Sequence, residues 1–226
     1  MSRYPQPEAA RGSQRWLQQA VEHAPDLLNV PIATAMGVDP SSIDWRSPLR
    51  SDDFAEYRDR AFLDRLGIAL PHRPLESFWP RRGPQWDGLA VIGSGEVILV
   101  EAKAHILELQ STCAASPASL ARIRGGLDET VAATAGGWSD AWLDGYYQYA
   151  NRLAHLFLLR HLNGLPAWLV FVCFIGDDDI GGPRTQGEWA QALGQVRTSL
   201  RITPSVVSAY VIDVFPDIRE IRRHIG

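Results

Sequence analysis

The clearest candidate for chemistry is the tripeptide Glu101-Ala102-Lys103, which ends the apolar run Val97–Val100. The chain has 22 lysine and arginine residues, and only Lys103 is a lysine. Arginine is a planar fork that stays protonated, whereas lysine is a compact point charge whose pKa shifts on burial. One lysine beside a carboxylate at a strand end therefore indicates a reactive site. The alternative is a chance lysine in an arginine-rich sequence, and the neighbouring residues favour the first interpretation.

These neighbours form a pattern typical of a β-hairpin, with two apolar runs on either side of Gly93-Ser94-Gly95. Counting outward from a three-residue loop places Asp87 opposite Glu101. Because the side chains of a strand alternate between the two faces of the sheet, Glu101 and Lys103 lie on one face. Opposed residues have Cβ atoms about 4.5–5.5 Å apart, and opposed like charges destabilise a sheet. The two carboxylates therefore favour a cation between them, and a hard divalent ion such as Mg²⁺ or Mn²⁺ suits oxygen ligands.

An aspartate on one strand and Glu-x-Lys on the next resembles the PD-(D/E)XK phosphodiesterase superfamily, which includes restriction endonucleases, RecB-type nucleases and Holliday-junction resolvases. The resemblance lies in the hairpin, and Trp86 stands where the motif has proline. It implies that Asp87 and Glu101 bind the metal, that the Ala102 carbonyl joins them, and that Lys103 positions or activates the attacking water. It also implies a restriction endonuclease-like α/β/α sandwich with a mixed central β-sheet.

Two further candidates follow from the resemblance. Family members often add a glutamate from the helix before the sheet, and Glu56 is the only glutamate in the predicted helix Ser51–Gly67. The alternative for Glu56 is a surface residue paired with Arg60 four positions later. Gln148 is the other candidate, because the family uses polar side chains from a helix beside the catalytic strand. RecB-type members have Gln-x-x-x-Tyr there, and this chain has Arg152 in place of the tyrosine.

Three residues are candidates for substrate binding. Arg152 shares a helix face with Gln148, Asn151 and His155, and its guanidinium matches a phosphate in bidentate geometry. That polar face is either open to solvent or part of the lining of the site. Trp86 adjoins Asp87, and Arg82 belongs to an arginine pair just before the hairpin.

The elements that position these residues can be predicted from apolar periodicity and from Gly and Pro signals. Their order predicts an α/β sandwich with a mixed sheet, in which residues 1–49 are an N-terminal helical extension and connection and residues 50–226 are a nuclease-like α/β domain. The predicted elements are a helix over 13–29, an irregular connection over 30–49, a helix over 51–67, a strand over 75–79, the hairpin, helices over 117–135 and up to His161, a strand over 168–175, a helix over 188–200 and a strand over 206–215.

Composition sets limits on the class of protein. A net charge of −4 argues against a nonspecific nucleic-acid coating protein but allows an enzyme with a locally basic groove. The apolar run Ala167–Ile175 is too short to span a bilayer, the first residues lack a secretory apolar region, and two cysteines make no disulfide framework. We therefore expect a cytoplasmic location and no membrane partner.

The sequence predicts a Mg²⁺- or Mn²⁺-dependent nuclease that hydrolyses phosphodiester bonds of nucleic acid, with DNA as the first expectation. A homodimer or a partner protein could supply specificity. One alternative is a catalytically inactive nuclease-like module that binds nucleic acid or protein. Another is a small-molecule hydrolase or an unrelated α/β protein in which Lys103 only bridges Glu101 and Asp87. No phosphate-binding loop, dinucleotide fingerprint, zinc spacing or GxSxG elbow is present in the sequence.

Overall fold

The centre of the protein is a five-stranded mixed β-sheet, seen in a computed structural model that describes residues 3–225. The strands in chain order are β1 (Arg3–Tyr4), β2 (Ile43–Ser47), β3 (Glu56–Tyr57), β4 (Gly88–Ile92), β5 (Val97–Lys103), β6 (Ser111–Thr112), β7 (Asp144–Gly145), β8 (Ala167–Cys173) and β9 (Val211–Val214). The helices are α1 (Gly12–His23), α2 (Asp26–Met36), α3 (Arg60–Leu66), α4 (Leu75–Phe78), α5 (Pro117–Thr134), α6 (Tyr147–Phe157), α7 (Gln186–Ser199), α8 (Pro204–Tyr210) and α9 (Ile218–Ile225).

The central sheet has the order β2-β4-β5-β8-β9. Strand β5 lies in its middle, antiparallel to β4 and parallel to β8. The predicted hairpin is confirmed, because the Ile92 N–H donates to the Glu96 carbonyl at 2.9 Å and Gly88 pairs with Val100. Continuing this register by one residue sets Asp87 opposite Glu101, as the loop length predicts.

Helical layers cover both faces of the sheet, so the predicted α/β fold with a mixed central sheet is confirmed. Apolar side chains of α1, α2 and α9 pack on the face that contains Ile98 and Val100, whereas those of α3, α5, α6 and α7 pack on the face that contains Val97 and Leu99. Because strand side chains alternate, Glu101 and Lys103 belong to the second face. The site residues therefore point toward the layer that includes α6.

The irregular connection predicted for residues 30–49 is wrong. Helix α2 continues through Pro31 to Met36, and β2 forms the edge of the sheet by pairing with β4. Proline removes a helical hydrogen bond and usually breaks a helix, but here Leu28 and Ile32 are fully buried against the sheet and offset that loss. Residues 1–49 thus contribute α1, α2 and one strand of the central sheet.

The helix predicted for Ser51–Gly67 is only partly correct. Its first half is a 3₁₀ turn, Arg50–Asp52, followed by the short strand β3, and the α-helix begins at Arg60. Asp53, Phe54 and Asp59 have φ angles of 50°, 46° and 52°, which an α-helix cannot contain. Glu56 therefore lies on a strand that pairs with β1, not on a helix.

Two predicted strands are also corrected. In the segment 75–79, Leu75–Phe78 form the short helix α4, which follows Pro74. In the segment 206–215, the first part is helix α8 and only Val211–Val214 is a strand, because Pro204 occupies the first turn, where proline favours helix initiation. Among residues 3–225, no helix combines the length and the apolar character needed to cross a membrane.

Candidate active site

Asp87 lies at the point where the chain leaves the β4–β5 ladder. The Trp86 N–H donates to the Tyr57 carbonyl at 3.0 Å instead of continuing along β5. The Ala102 N–H therefore donates to a side chain, Asp87 Oδ2, at 2.8 Å. In an extended strand the N–H and C=O of one residue point to the same side, so the Ala102 carbonyl also faces Asp87.

Glu101 is held between two buried cations. Arg152 Nε donates to Glu101 Oε2 at 2.5 Å, and Lys103 Nζ donates to Glu101 Oε1. Lys103 Nζ also donates to Gln148 Oε1 at 3.1 Å. Only 1% of Glu101, 3% of Arg152 and 6% of Lys103 is exposed. The helix face that carries Gln148 and Arg152 therefore lines the site and does not face solvent.

The protonation states of Glu101 and Lys103 are set by two opposing effects, burial and the neighbouring opposite charges. Burial alone would raise the pKa of Glu101, but Arg152 and Lys103 outweigh it and hold that pKa below its usual value. Burial alone would lower the pKa of Lys103, but Glu101 and Asp87 raise it above the ordinary value. Glu101 is thus an anion and Lys103 a cation at neutral pH.

The pKa of Asp87 is shifted in the opposite direction to that of Glu101. Burial, followed by repulsion from Glu101, raises the pKa of Asp87 to about 8, and the attraction of Lys103 only partly opposes this. Asp87 is half-buried and accepts a single backbone hydrogen bond from β5. It therefore carries a proton at neutral pH unless a cation comes close.

Glu56 reaches the same site from β3. Burial raises its pKa, and hydrogen bonds from Gln85 and Gln14 oppose that rise. Gln85 Nε2 donates to Glu56 Oε2 at 2.5 Å, Gln14 Nε2 to Oε1 at 3.1 Å, and Gln6 Nε2 to Oε2 at 3.2 Å. Glu56 interacts electrostatically with Glu101 and Arg152, and its predicted position on a helix is wrong, because it lies on β3.

Three glutamines around Glu56 were missed by the sequence reasoning. Gln85 is the most connected, because its carbonyl also accepts a hydrogen bond from Arg152 Nη2 at 2.7 Å. Its place two residues before Asp87 is the one signal in the sequence that points to it. Gln6 and Gln14 come from the N-terminal segment, and no local pattern relates them to the hairpin.

The predicted substrate-binding residues lie at different depths. Trp86 is fully buried, and the Arg152 guanidinium carbon lies 4.8 Å from the centroid of its ring. The Trp86 Nε1–H has no hydrogen-bond partner among residues 3–225. His155 packs edge-on against Trp86, and burial lowers the pKa of His155 to about 4, so this histidine is neutral. Arg82 is exposed, on the loop before the hairpin.

The oxygen donors at the end of β5 fit a hard divalent cation. The half-buried Asp87 carboxylate accepts the Ala102 N–H, the Ala102 carbonyl lies on the same side of β5, and Glu101 adds a second carboxylate. Both Glu101 oxygens already accept from Arg152 and Lys103, so a cation would share this carboxylate with them. Within residues 3–225, no three His, Cys, Asp or Glu side chains are gathered in a group that could hold a metal ion.

Comparison with protein-family models, with curated proteins and with solved structures found no match.

Proposed function

We propose that this protein is a metal-dependent nuclease that hydrolyses phosphodiester bonds of nucleic acid, DNA first, on a restriction endonuclease-like fold. The observation that carries the proposal is the meeting of Asp87, Glu101 and Lys103 where β5, the middle strand of the mixed sheet, ends, in the register that the motif requires. A cytoplasmic location, and a second copy or a partner protein that supplies specificity, belong to the same proposal.

Each residue of the site has its own task. Asp87, Glu101 and the Ala102 carbonyl would hold Mg²⁺ or Mn²⁺, with Glu56 close by. When bound, such an ion polarises a phosphoryl oxygen and lowers the pKa of a bound water. Because Lys103 is a cation, its role is to orient the attacking water or to stabilise charge that develops on the phosphate oxygens, and not to remove a proton.

Two residues on α6 position these groups. Gln148 accepts a hydrogen bond from Lys103 Nζ and restricts where that ammonium can point. Arg152 fixes the Glu101 carboxylate while Asn151 Oδ1 and the Gln85 carbonyl accept its other N–H groups. Such support holds the reacting groups in one geometry, which is worth a large part of an enzymatic rate enhancement.

A second candidate function is a nuclease-like module that binds nucleic acid or protein without cleaving it. One specific observation favours it: both oxygens of Glu101 are occupied by buried cations, and this carboxylate is only 1% exposed. A site closed in this way contains all the charged residues of the motif, but the Glu101 carboxylate is not open to a metal ion.

The test is cleavage of labelled single-stranded, double-stranded and branched DNA, and of RNA, with Mg²⁺ or Mn²⁺. Wild type is compared with Asp87→Asn and with Asp128→Asn, a matched control on an exposed face of α5. We expect metal-dependent cleavage by wild type and by the control and none by Asp87→Asn. Equal cleavage by Asp87→Asn would refute the proposal, and the absence of cleavage with every substrate would favour the binding module.

A further inference from the structure

A cleft of about 1050 Å³ opens beside the candidate active site, and arginine dominates its lining. It shares the β1–β3 ribbon with the site, since Tyr4 lines the cleft and pairs with Glu56. Its lining also includes Trp79, whose ring centroid lies 5.1 Å from that of His155. Five of the lining residues are arginines and three are acids; the arginines are Arg3, Arg58, Arg60, Arg81 and Arg82.

The charge available in the cleft comes mainly from Arg81 and Arg82. Arg3 is bound by Asp52 and Asp53, and Arg60 is bound by Asp64. By contrast, Arg81 and Arg82 are exposed, and neither forms an ion pair with another residue of the described chain. Two adjacent guanidiniums with no carboxylate partner, in a protein whose net charge is −4, are a local site for anions.

The loop that carries this arginine pair is held in a fixed, unfavourable conformation. Arg82 has a φ of 65°, a left-handed backbone conformation that residues other than glycine rarely adopt. The Asp59 carboxylate accepts the backbone N–H groups of Arg82 at 3.3 Å and Gly83 at 2.9 Å. Backbone strain of this kind is concentrated at binding and catalytic sites, and a pre-ordered loop loses less entropy when a ligand binds.

Arg58 supplies an independent observation in the wall of the same cleft. Its Nη2 donates to the Tyr4 hydroxyl, and its guanidinium carbon lies 4.2 Å from the centroid of the Tyr4 ring. Its Nε–H is buried and has no hydrogen-bond partner among residues 3–225. A buried donor without a partner is costly, and a movement of the Arg58 side chain toward an anion in the cleft would give this N–H an acceptor.

We propose that this cleft binds the phosphate backbone of a nucleic-acid strand and leads it toward Asp87, Glu101 and Lys103, an inference that rests on the proposed nuclease function. Guanidinium groups match phosphate oxygens in bidentate geometry. The cleft combines Arg81, Arg82 and the partly exposed Tyr4 ring, which is the pairing of positive charge and an aromatic face that single-strand binding sites use.

Binding is measured apart from cleavage, by fluorescence anisotropy of a labelled single-stranded oligonucleotide in excess EDTA at several salt concentrations. The variant Arg81→Ala/Arg82→Ala is compared with Arg222→Ala/Arg223→Ala, which removes two adjacent exposed arginines from α9 in the opposite helical layer. Removing one arginine from a phosphate lowers the slope of log K against log salt by about 0.7 for a single strand. We expect the slope to fall by about 1.4 and the affinity to fall about tenfold or more near 0.1 M salt.

The remaining outcomes each decide one question. The control pair should bind as wild type does, and Arg81→Lys/Arg82→Lys, which keeps both charges, should retain most of the salt slope. Wild-type affinity in the double alanine variant, or no binding by wild type, would refute the proposal that this cleft binds nucleic acid. Normal binding in EDTA without cleavage in Mg²⁺ or Mn²⁺ would instead overturn the nuclease proposal and leave the cleft as a binding surface.

Discussion

Two adjacent carboxylates should respond to neutralisation in opposite directions, with Glu101→Gln destabilising the protein and Asp87→Asn stabilising it. The difference comes from their partners. Glu101 accepts hydrogen bonds from two buried cations, whereas Asp87 has one backbone N–H and a repelling neighbour.

In Glu101→Gln, Arg152 and Lys103 keep their charges while only 3% and 6% of them is exposed. An amide cannot balance two cations, and its NH₂ group would face one of them. Removing one partner of a buried ion pair costs about 3–5 kcal/mol. For a domain of this size that loss lowers Tm by about 10 °C, at roughly 2–4 °C per kcal/mol.

For Asp87 the sign follows from its raised pKa of about 8. The native state binds the proton more tightly than the unfolded chain, so its stabilising contribution is complete below about pH 4 and is lost as pH rises through about 8. The loss is at most about 1.4 kcal/mol per pH unit. Because Asp87 is half-buried, water reduces it, and we expect Asp87→Asn to be about 1–2 kcal/mol more stable than wild type near pH 7.5.

The assay is urea unfolding in EDTA near pH 7.5 and near pH 4, with Asp128→Asn as the matched control. Asparagine can still accept the Ala102 N–H but cannot ionise, so the variant isolates the effect of Asp87 ionisation. The gain from Asp87→Asn should fall to about half a kcal/mol near pH 4, because the native carboxyl is protonated there and the unfolded one, with its ordinary pKa of 3.8, is about half protonated. A destabilised Asp87→Asn near pH 7.5, or a Glu101→Gln within about 1 kcal/mol of wild type, would refute this account of the cluster.

Three other predictions concern the metal, the lysine and the core. Millimolar Mg²⁺ or Mn²⁺ should raise the Tm of wild type but not that of Asp87→Asn, because a ligand that binds only the native state stabilises it; equal shifts in a thermal melt would contradict the assigned ligand. Lys103→Arg should keep the charge and the fold by circular dichroism yet lose cleavage, since a planar guanidinium cannot replace the ammonium beside Gln148; full activity would remove Lys103 from the mechanism. Trp16→Phe should lower the free energy of unfolding in urea by about 1–3 kcal/mol. The reason is that the Trp16 Nε1–H donates at 2.6 Å to Asp177, which is only 1% exposed. An unchanged unfolding midpoint would show that water replaces this donor.

The central part of the site could be predicted because its geometry is local. A three-residue loop sets the register of β4 and β5, and the two-residue period of a strand puts Glu101 and Lys103 on one face. The helical period does the same for Gln148 and Arg152 on α6. These rules act over a few residues, so they can be read without knowing the rest of the fold.

The parts of the fold and of the site that could not be predicted depend on contacts between segments that are distant in the sequence. Glu56 lies in a segment with helical apolar spacing, yet pairing with β1 draws it into a strand. The residues of β2 alternate in burial as a strand should, but Pro40 and Pro48 on either side suggest a loop. In both places the tertiary environment overrides a local preference. The glutamines around Glu56 come together for the same reason.

The single lysine of the chain also makes the site a built-in spectroscopic probe. Lysine labelled with ¹⁵N or ¹³C enters the chain at Lys103 alone, so its side-chain NMR signal needs no assignment. That ammonium lies within hydrogen-bond reach of Glu101 and Gln148. Its chemical shift therefore reports directly on the arrival of a cation, on a change in the protonation of Asp87, or on the opening of the Glu101 ion pairs.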